Sequence, residues 1–149
     1  LSNQLKVVNL PDTVFFGCDG TYGADYLAQA GPNAEGSIHA NMRAPEETEL
    51  KLAFDVAYNK TFGVAPGVLS PFSYNSYDAV TILANAVKEV AFLGDDGNLY
   101  IPRGALVNAV RHTDGYVGIG SYSCDEVGEC NTEGPAFERV INGEWVVQN

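Results

Sequence analysis

Basic residues are scarce in this sequence. Lys and Arg number 8 against 19 Asp and Glu over 149 residues, a formal net charge of −11. Binding phosphate needs a basic surface, so this balance argues against nucleic acid and against anionic lipid surfaces. Long apolar runs are missing as well. A membrane-spanning helix needs ~20 consecutive apolar residues, and the greasiest stretch, 79–93, is broken by Thr81, Asn85, Lys88 and Glu89. No initiator Met and no signal peptide open the chain, which begins Leu1-Ser2-Asn3 and reads as a processed product or a fragment.

Catalytic signatures are equally sparse. His39 and His112 have no partner at metal or triad spacing and read as surface or internally satisfied residues. The glycines of Gly115-Tyr116-Val117-Gly118-Ile119-Gly120 stand in the wrong order for a dinucleotide loop and precede no helix. Ser121 and Ser123 do not sit in a nucleophile elbow. Gly94-Asp95-Asp96-Gly97-Asn98 has half the look of a calcium loop but lacks the alternating ligands and late Glu, so it reads as a turn. No metal, cofactor or catalytic residue is therefore expected, and enzyme is the weaker functional class.

What is present is material for a core: 46 % hydrophobic residues, 11 % aromatic, in a length suited to one ordinary domain. Three cysteines occur. Cys124 and Cys130 flank a five-residue turn-like segment and could form a disulfide, remain as thiols or join a metal site. The last reading lacks a second Cys pair or a nearby His. A disulfide ranks first and implies an oxidising compartment. Cys18 reads as a buried free thiol.

Hydrophobic periodicity orders the chain as βαβ, then three helices, then a β meander. Leu1 to Leu10 is read as a helix end and loop. Strands are predicted over 13–18 and 36–42, with a helix over 22–30 stopped by Gly31-Pro32 between them. A helix over 46–62 opens on Pro45 and three glutamates suited to its positive end. A Gly- and Pro-rich loop over 63–70 and the segment 71–76 lead to a helix over 77–92. Its wide apolar face predicts deep burial. Pro102 opens a third helix ending near His112. Strand-like residues 116–124 reach the cysteine turn, and 137–141 with 144–147 flank Asn142-Gly143, a two-residue hairpin signal. Two strands ahead of the helical block are too few for a self-sufficient parallel sheet, which hints at a piece of something larger.

Two features point to binding. Asp19 ends the first strand, bracketed by Gly17 and Gly20, and ligands of open α/β sheets bind outside the carboxyl ends of the strands. A lone carboxylate there suits a cationic group; the alternative is an N-cap for the following helix. Phe72, Tyr74 and Tyr77 cluster at the start of the long helix, either lining a small-molecule pocket or packing the helix end.

Phe16-Gly17-Cys18-Asp19-Gly20, Gly31-Pro32-Asn33-Ala34-Glu35-Gly36, Tyr77-Asp78-Ala79-Val80, the 115–120 glycine segment and the Asn142-Gly143 hairpin occur in the order and spacing of a known family. The chain resembles the periplasmic binding proteins of branched-chain amino acid ABC transporters, two-lobed receptors of type I, and the likeness covers their C-terminal part only. The resemblance implies an α/β fold in which residues 1–44 belong to the second lobe, 45–114 supply helices to the first, and 115–149 return to the second. It implies a non-enzymatic extracytoplasmic protein, periplasmic or extracellular and lipid-anchored in a full-length precursor, that captures an amino acid between lobes for a membrane permease. A signalling receptor's sensing domain and a small α/β enzyme are the rival functions. Asp19 corresponds to the acid that meets the ligand's α-ammonium, Phe72 and Tyr74 to the aromatic wall, and Cys18 and Tyr22 to neighbours of the site. The resemblance makes the Cys124–Cys130 turn a variant of the family's late β-turn, pinned by a disulfide outside the site. Dimerisation, or association with the N-terminal part, would cover exposed strand edges.

Overall fold

The structure is a computed structural model that describes all residues except 9, 11, 69–71, 132, 133 and 149, and the side chain of residue 6. It is mixed α/β, as the pattern predicts, and the chain divides into two compact units. Unit 1 comprises Leu1–Arg43 and Gly134–Asn149; unit 2 comprises Ala44–Glu133.

Unit 1 opens with helix α1 (Ser2–Val7), followed by strand β1 (Phe16–Gly17), a 3₁₀ turn (Asp19–Thr21), helix α2 (Ala24–Ala30), a second 3₁₀ turn (Gly31–Ala34) and strand β2 (Ile38–Met42). It is completed from the far end of the chain by β7 (Pro135–Ile141) and β8 (Glu144–Gln148). The sheet order is β1-β2-β7-β8, with β1 parallel to β2 and the other pairs antiparallel. Period-2 alternation sends Ser37, His39 and Asn41, all buried, to one face. Ala30, Ala34 and Val140 form the core there, with Tyr26, Leu27 and Trp145 packed against them. A hydroxyl chain fastens α1 and α2 to the sheet: Ser2 Oγ to Tyr26 OH at 2.8 Å, and Tyr26 OH to Ser37 Oγ at 2.7 Å. The Asn142-Gly143 hairpin forms as expected, both residues at positive φ (54° and 78°). The Glu35 carboxylate accepts both turn amides, from Asn142 at 3.1 Å and Gly143 at 3.2 Å. The predicted first strand is shorter and less buried than expected: only Phe16–Gly17 pairs, at a sheet edge, with Phe16 exposed.

Among the described residues, unit 2 holds α3 (Glu49–Phe62), α4 (Ser73–Val90), α5 (Arg103–Arg111) and two short strand pairings. Helix α3 begins later than predicted. Thr48 caps it, its Oγ1 accepting the Lys51 N–H at 3.2 Å, so Pro45 and Glu46 precede the helix instead of forming its first turn. Residues 69–71, which fall at the end of the expected 63–70 loop and the start of the 71–76 segment, lie outside the described residues. Helix α4 starts at Ser73, earlier than predicted, and its apolar face is not deeply buried: Val80 is 66 % and Leu83 46 % exposed. The 94–98 turn, read as a loop, joins β3 (Phe92–Leu93) to β4 (Leu99–Tyr100). The Asp96 carboxylate organises it by accepting from Asn98 and the Tyr100 hydroxyl.

The expected terminal meander is split. β5 (Tyr116–Val117) and β6 (Ser121–Tyr122) pair with each other inside unit 2, while only β7 and β8 join the main sheet. The chain re-enters unit 1 at Gly134. Helix α4 holds the β5–β6 hairpin through a buried carboxylate. Asp78, 1 % exposed, accepts from Tyr116 OH (2.9 Å), Ile119 N (3.1 Å) and Gly120 N (2.7 Å). Asn75 Nδ2 donates to Tyr122 OH at 3.0 Å. A Cβ on Gly118 would lie 2.2 Å from Asp78 Oδ1, so only glycine fits that approach. Burial and then Asp78 push the Tyr116 hydroxyl up to about 12. Cys124 and Cys130 form a disulfide across the following turn. Inside that turn the Asp125 carboxylate accepts the Val127 and Glu129 amides, both at 2.9 Å.

Candidate functional site

The candidate site begins where β1 ends. After Gly17 the chain turns through Cys18-Asp19-Gly20-Thr21, closed by Thr21 N to Cys18 O (2.9 Å) and Tyr22 N to Asp19 O (3.0 Å). The Asp19 side chain is exposed and makes no hydrogen bond or ion pair with a described residue. The capping alternative therefore does not hold. Helix α2 has Gly23 at its N-cap, without a side-chain cap bond, and the 3₁₀ turn is preceded by Cys18. Asp19 is left as an uncommitted carboxylate outside the carboxyl end of a strand, the position at which open α/β sheets meet ligands. Cys18 is exposed, not buried as its composition-based default suggested.

Tyr22 follows the turn and is half-buried, its ring 5.4 Å from that of Trp145. Burial raises its pKa, and the neighbouring Glu138 carboxylate raises it further, so the phenol stays protonated beside a buried acid. His39 lies beneath the turn. It is fully buried, ringed by Trp145 (4.2 Å between centroids), Tyr26 (4.9 Å) and Phe15 (5.8 Å). Burial lowers its pKa, partly offset by the Cys18 carbonyl, so the ring is held neutral.

Phe72 and Tyr74 belong to unit 2. Phe72 precedes α4 and is exposed; Tyr74 lies in the first turn of α4 and is half-buried. Tyr74 OH donates to Asp55 Oδ1 at 2.9 Å, and its ring faces Lys51 Nζ at 5.3 Å. Lys51 is itself buried between Glu47 (2.7 Å) and Asp55 (2.9 Å), which hold its ammonium well above the usual lysine range. The Tyr74 hydroxyl is thus committed within unit 2, and what it can offer a ligand is ring surface. Tyr77 packs on Phe54, 4.9 Å between centroids, as the helix-packing alternative anticipated for it.

The structure brings Cys18, Asp19 and Tyr22 together in one turn of unit 1 and places Phe72 and Tyr74 together in unit 2. Sequence reasoning missed Thr21, His39 and Glu138 around the turn, and Asp78 as a hairpin anchor. The available signal was alternation: a polar Ser37-x-His39-x-Asn41 series in a strand marks a face whose polar groups need partners. Among the described residues no cluster of three or more His, Cys, Asp or Glu could hold a metal ion, and no helix is long and apolar enough to cross a membrane.

These elements, in this order, form part of the type I periplasmic-binding-protein fold. A leucine-binding protein of Thermotoga maritima superposes with a TM-score of 0.72 at 19 % identity, over 99 % of this chain and 39 % of that one. An extracellular ligand-binding receptor of Rhodopseudomonas palustris gives 0.68 at 18 % identity, over 99 % and 44 %. An ABC transporter substrate-binding protein of Desulfitobacterium hafniense, solved in complex with Leu, gives 0.63 at 17 % identity, over 99 % and 38 %. The chain therefore spans well under half the length of these similar structures. No family model matches it and no curated protein matches it.

Proposed function

We propose that this chain is the C-terminal portion of an extracytoplasmic solute-binding protein that captures an amino acid, of branched-chain type, for an ABC importer. In this reading unit 1 belongs to the second lobe and unit 2 to the first, and the ligand is enclosed when the lobes close. Asp19 meets the α-ammonium through charge-assisted hydrogen bonds. Phe72 and the Tyr74 ring flank the ligand side chain, and Cys18 and Tyr22 border the site. The partner is the importer's permease, and the compartment is periplasmic or extracellular, in keeping with the Cys124–Cys130 disulfide.

The observation that carries the reading is the exposed, uncommitted Asp19 at the carboxyl end of β1, in a fold shared over 99 % of the chain with proteins described as leucine-binding or Leu-bound. The test is calorimetry of a polypeptide joining this chain to the complementary part of both lobes, screened against the common amino acids. At least one aliphatic amino acid should bind. Asp19→Asn should weaken it by roughly 10- to 100-fold, the worth of a hydrogen bond to a charged group. Absence of binding to every amino acid overturns the proposal.

A further inference from the structure

Asp19 has no side-chain partner among the described residues, so the backbone turn alone sets where its carboxylate points. We propose that His39 and Thr21 are positioning residues for Asp19: the buried imidazole, fixed as the Nδ1–H tautomer, braces Thr21 and Cys18 and so stiffens the turn that presents the carboxylate. The inference rests on the reading of Asp19 as the ligand's ammonium contact.

Thr21 Oγ1 donates its only proton to the Cys18 carbonyl at 2.8 Å. Toward His39 Nδ1, 2.9 Å away, the same oxygen can therefore only accept, which requires a proton on Nδ1. The remaining nitrogen, Nε2, is buried and has no hydrogen-bond partner among the described residues. A bare lone pair there is tolerable, whereas an N–H would be a buried donor without an acceptor. Both ring nitrogens thus select the same tautomer. The brace is also closely fitted. A Cβ on Gly17 would stand 2.1 Å from Thr21 Oγ1 and 3.1 Å from His39 Cε1. Downstream, Tyr22 packs on Trp145, so the turn is anchored on both sides of Asp19.

The test has two arms. In the first, ¹⁵N NMR of the His39 ring in the unmodified chain should show a protonated Nδ1 and a bare Nε2 near neutral pH; an Nε2–H tautomer overturns the proposal. In the second, Thr21→Val removes the hydroxyl at nearly constant shape and Thr21→Ser retains it. Amide exchange at Thr21 and Tyr22 should quicken roughly tenfold in the Val variant, the effect of one lost hydrogen bond, and return toward the original rate in the Ser variant. Unchanged exchange in Thr21→Val overturns the brace. Leucine affinity, measured in the lobe-complete polypeptide, should follow the same order. If leucine binds and Asp19→Asn leaves its affinity unchanged, the ligand role of Asp19 falls, while the tautomer and exchange results still decide the bracing of the turn.

Discussion

Replacing Asp78 should cost unit 2 a large part of its stability. The carboxylate is 1 % exposed and satisfies two backbone amides, of Ile119 and Gly120, together with the Tyr116 hydroxyl. Ile119 is itself only 4 % exposed, so water cannot readily replace the acceptor for its amide. A buried donor left unpaired costs about 1–3 kcal/mol. Two amides and a half-exposed phenol give roughly 4 kcal/mol for Asp78→Ala. Asp78→Asn keeps one acceptor but points an amide NH₂ at a backbone N–H, and roughly 2 kcal/mol is expected. A unit of this size is stable by roughly 5–13 kcal/mol, so Asp78→Ala removes a third or more of it. The assay is urea unfolding followed by far-UV circular dichroism, because the three longest helices lie in unit 2. With a slope of about 1–3 kcal/mol per molar urea, the midpoint should fall by roughly 2 M for Asp78→Ala. A loss below about 0.5 kcal/mol, the range of a neutral surface change, would refute the reasoning.

Further outcomes follow from the same geometry. Reducing the Cys124–Cys130 disulfide should destabilise unit 2 by about 2 kcal/mol, given the short loop it closes; equal melting temperatures for oxidised and reduced protein contradict this. His39 is held neutral, with its pKa below the ordinary 6.5, while Glu138 faces it across the strand pair and Tyr26 packs on its ring. Its contribution to stability is therefore complete above pH 6.5 and is lost as pH falls below that value. His39→Phe should flatten the acid limb of a stability profile, and an unaltered limb speaks against the assignment. Tyr116, raised from 10.0 to about 12, stabilises unit 2 fully below pH 10 and progressively less between pH 10 and 12. Tyr116→Phe should remove that alkaline dependence, as read by unfolding at fixed pH values. Gly118→Ala should resemble Asp78→Ala in direction, since the added methyl displaces the carboxylate from its amides.

The helices and the terminal hairpin were legible because their signals are local. Asn142-Gly143 needs positive φ at both positions, and that demand is written in the residues themselves. The end of β1 was legible too, through two glycines around an acid. Helix starts were less so: Pro45 with glutamates looked like a first turn, but the Thr48 hydroxyl captured the Lys51 amide and set the boundary. The β5–β6 pairing and the His39 brace could not be read, because their determinants are distant in sequence. Asp78 reaches Gly120, and His39 reaches back to Thr21 and forward to Trp145. The apolar face of α4 misled for a related reason. Periodicity reveals that a face is greasy; whether anything covers it depends on layers, and among the described residues Val80 and Leu83 stay largely exposed.

Unit 1 is assembled from the two ends of the chain, with Ala44–Glu133 inserted between them. The strands through which the chain leaves and re-enters lie side by side, Met42 opposite Pro135. During synthesis, β2 therefore emerges with its main pairing partner not yet made, and its sheet edge waits until unit 2 and then β7 have followed. Closing so non-local a pairing is intrinsically slow. The same adjacency makes unit 2 an excisable insert. A tight turn joining Arg43 directly to Gly134 would convert β2 and β7 into an ordinary hairpin and turn the slowest contact of unit 1 into a local one.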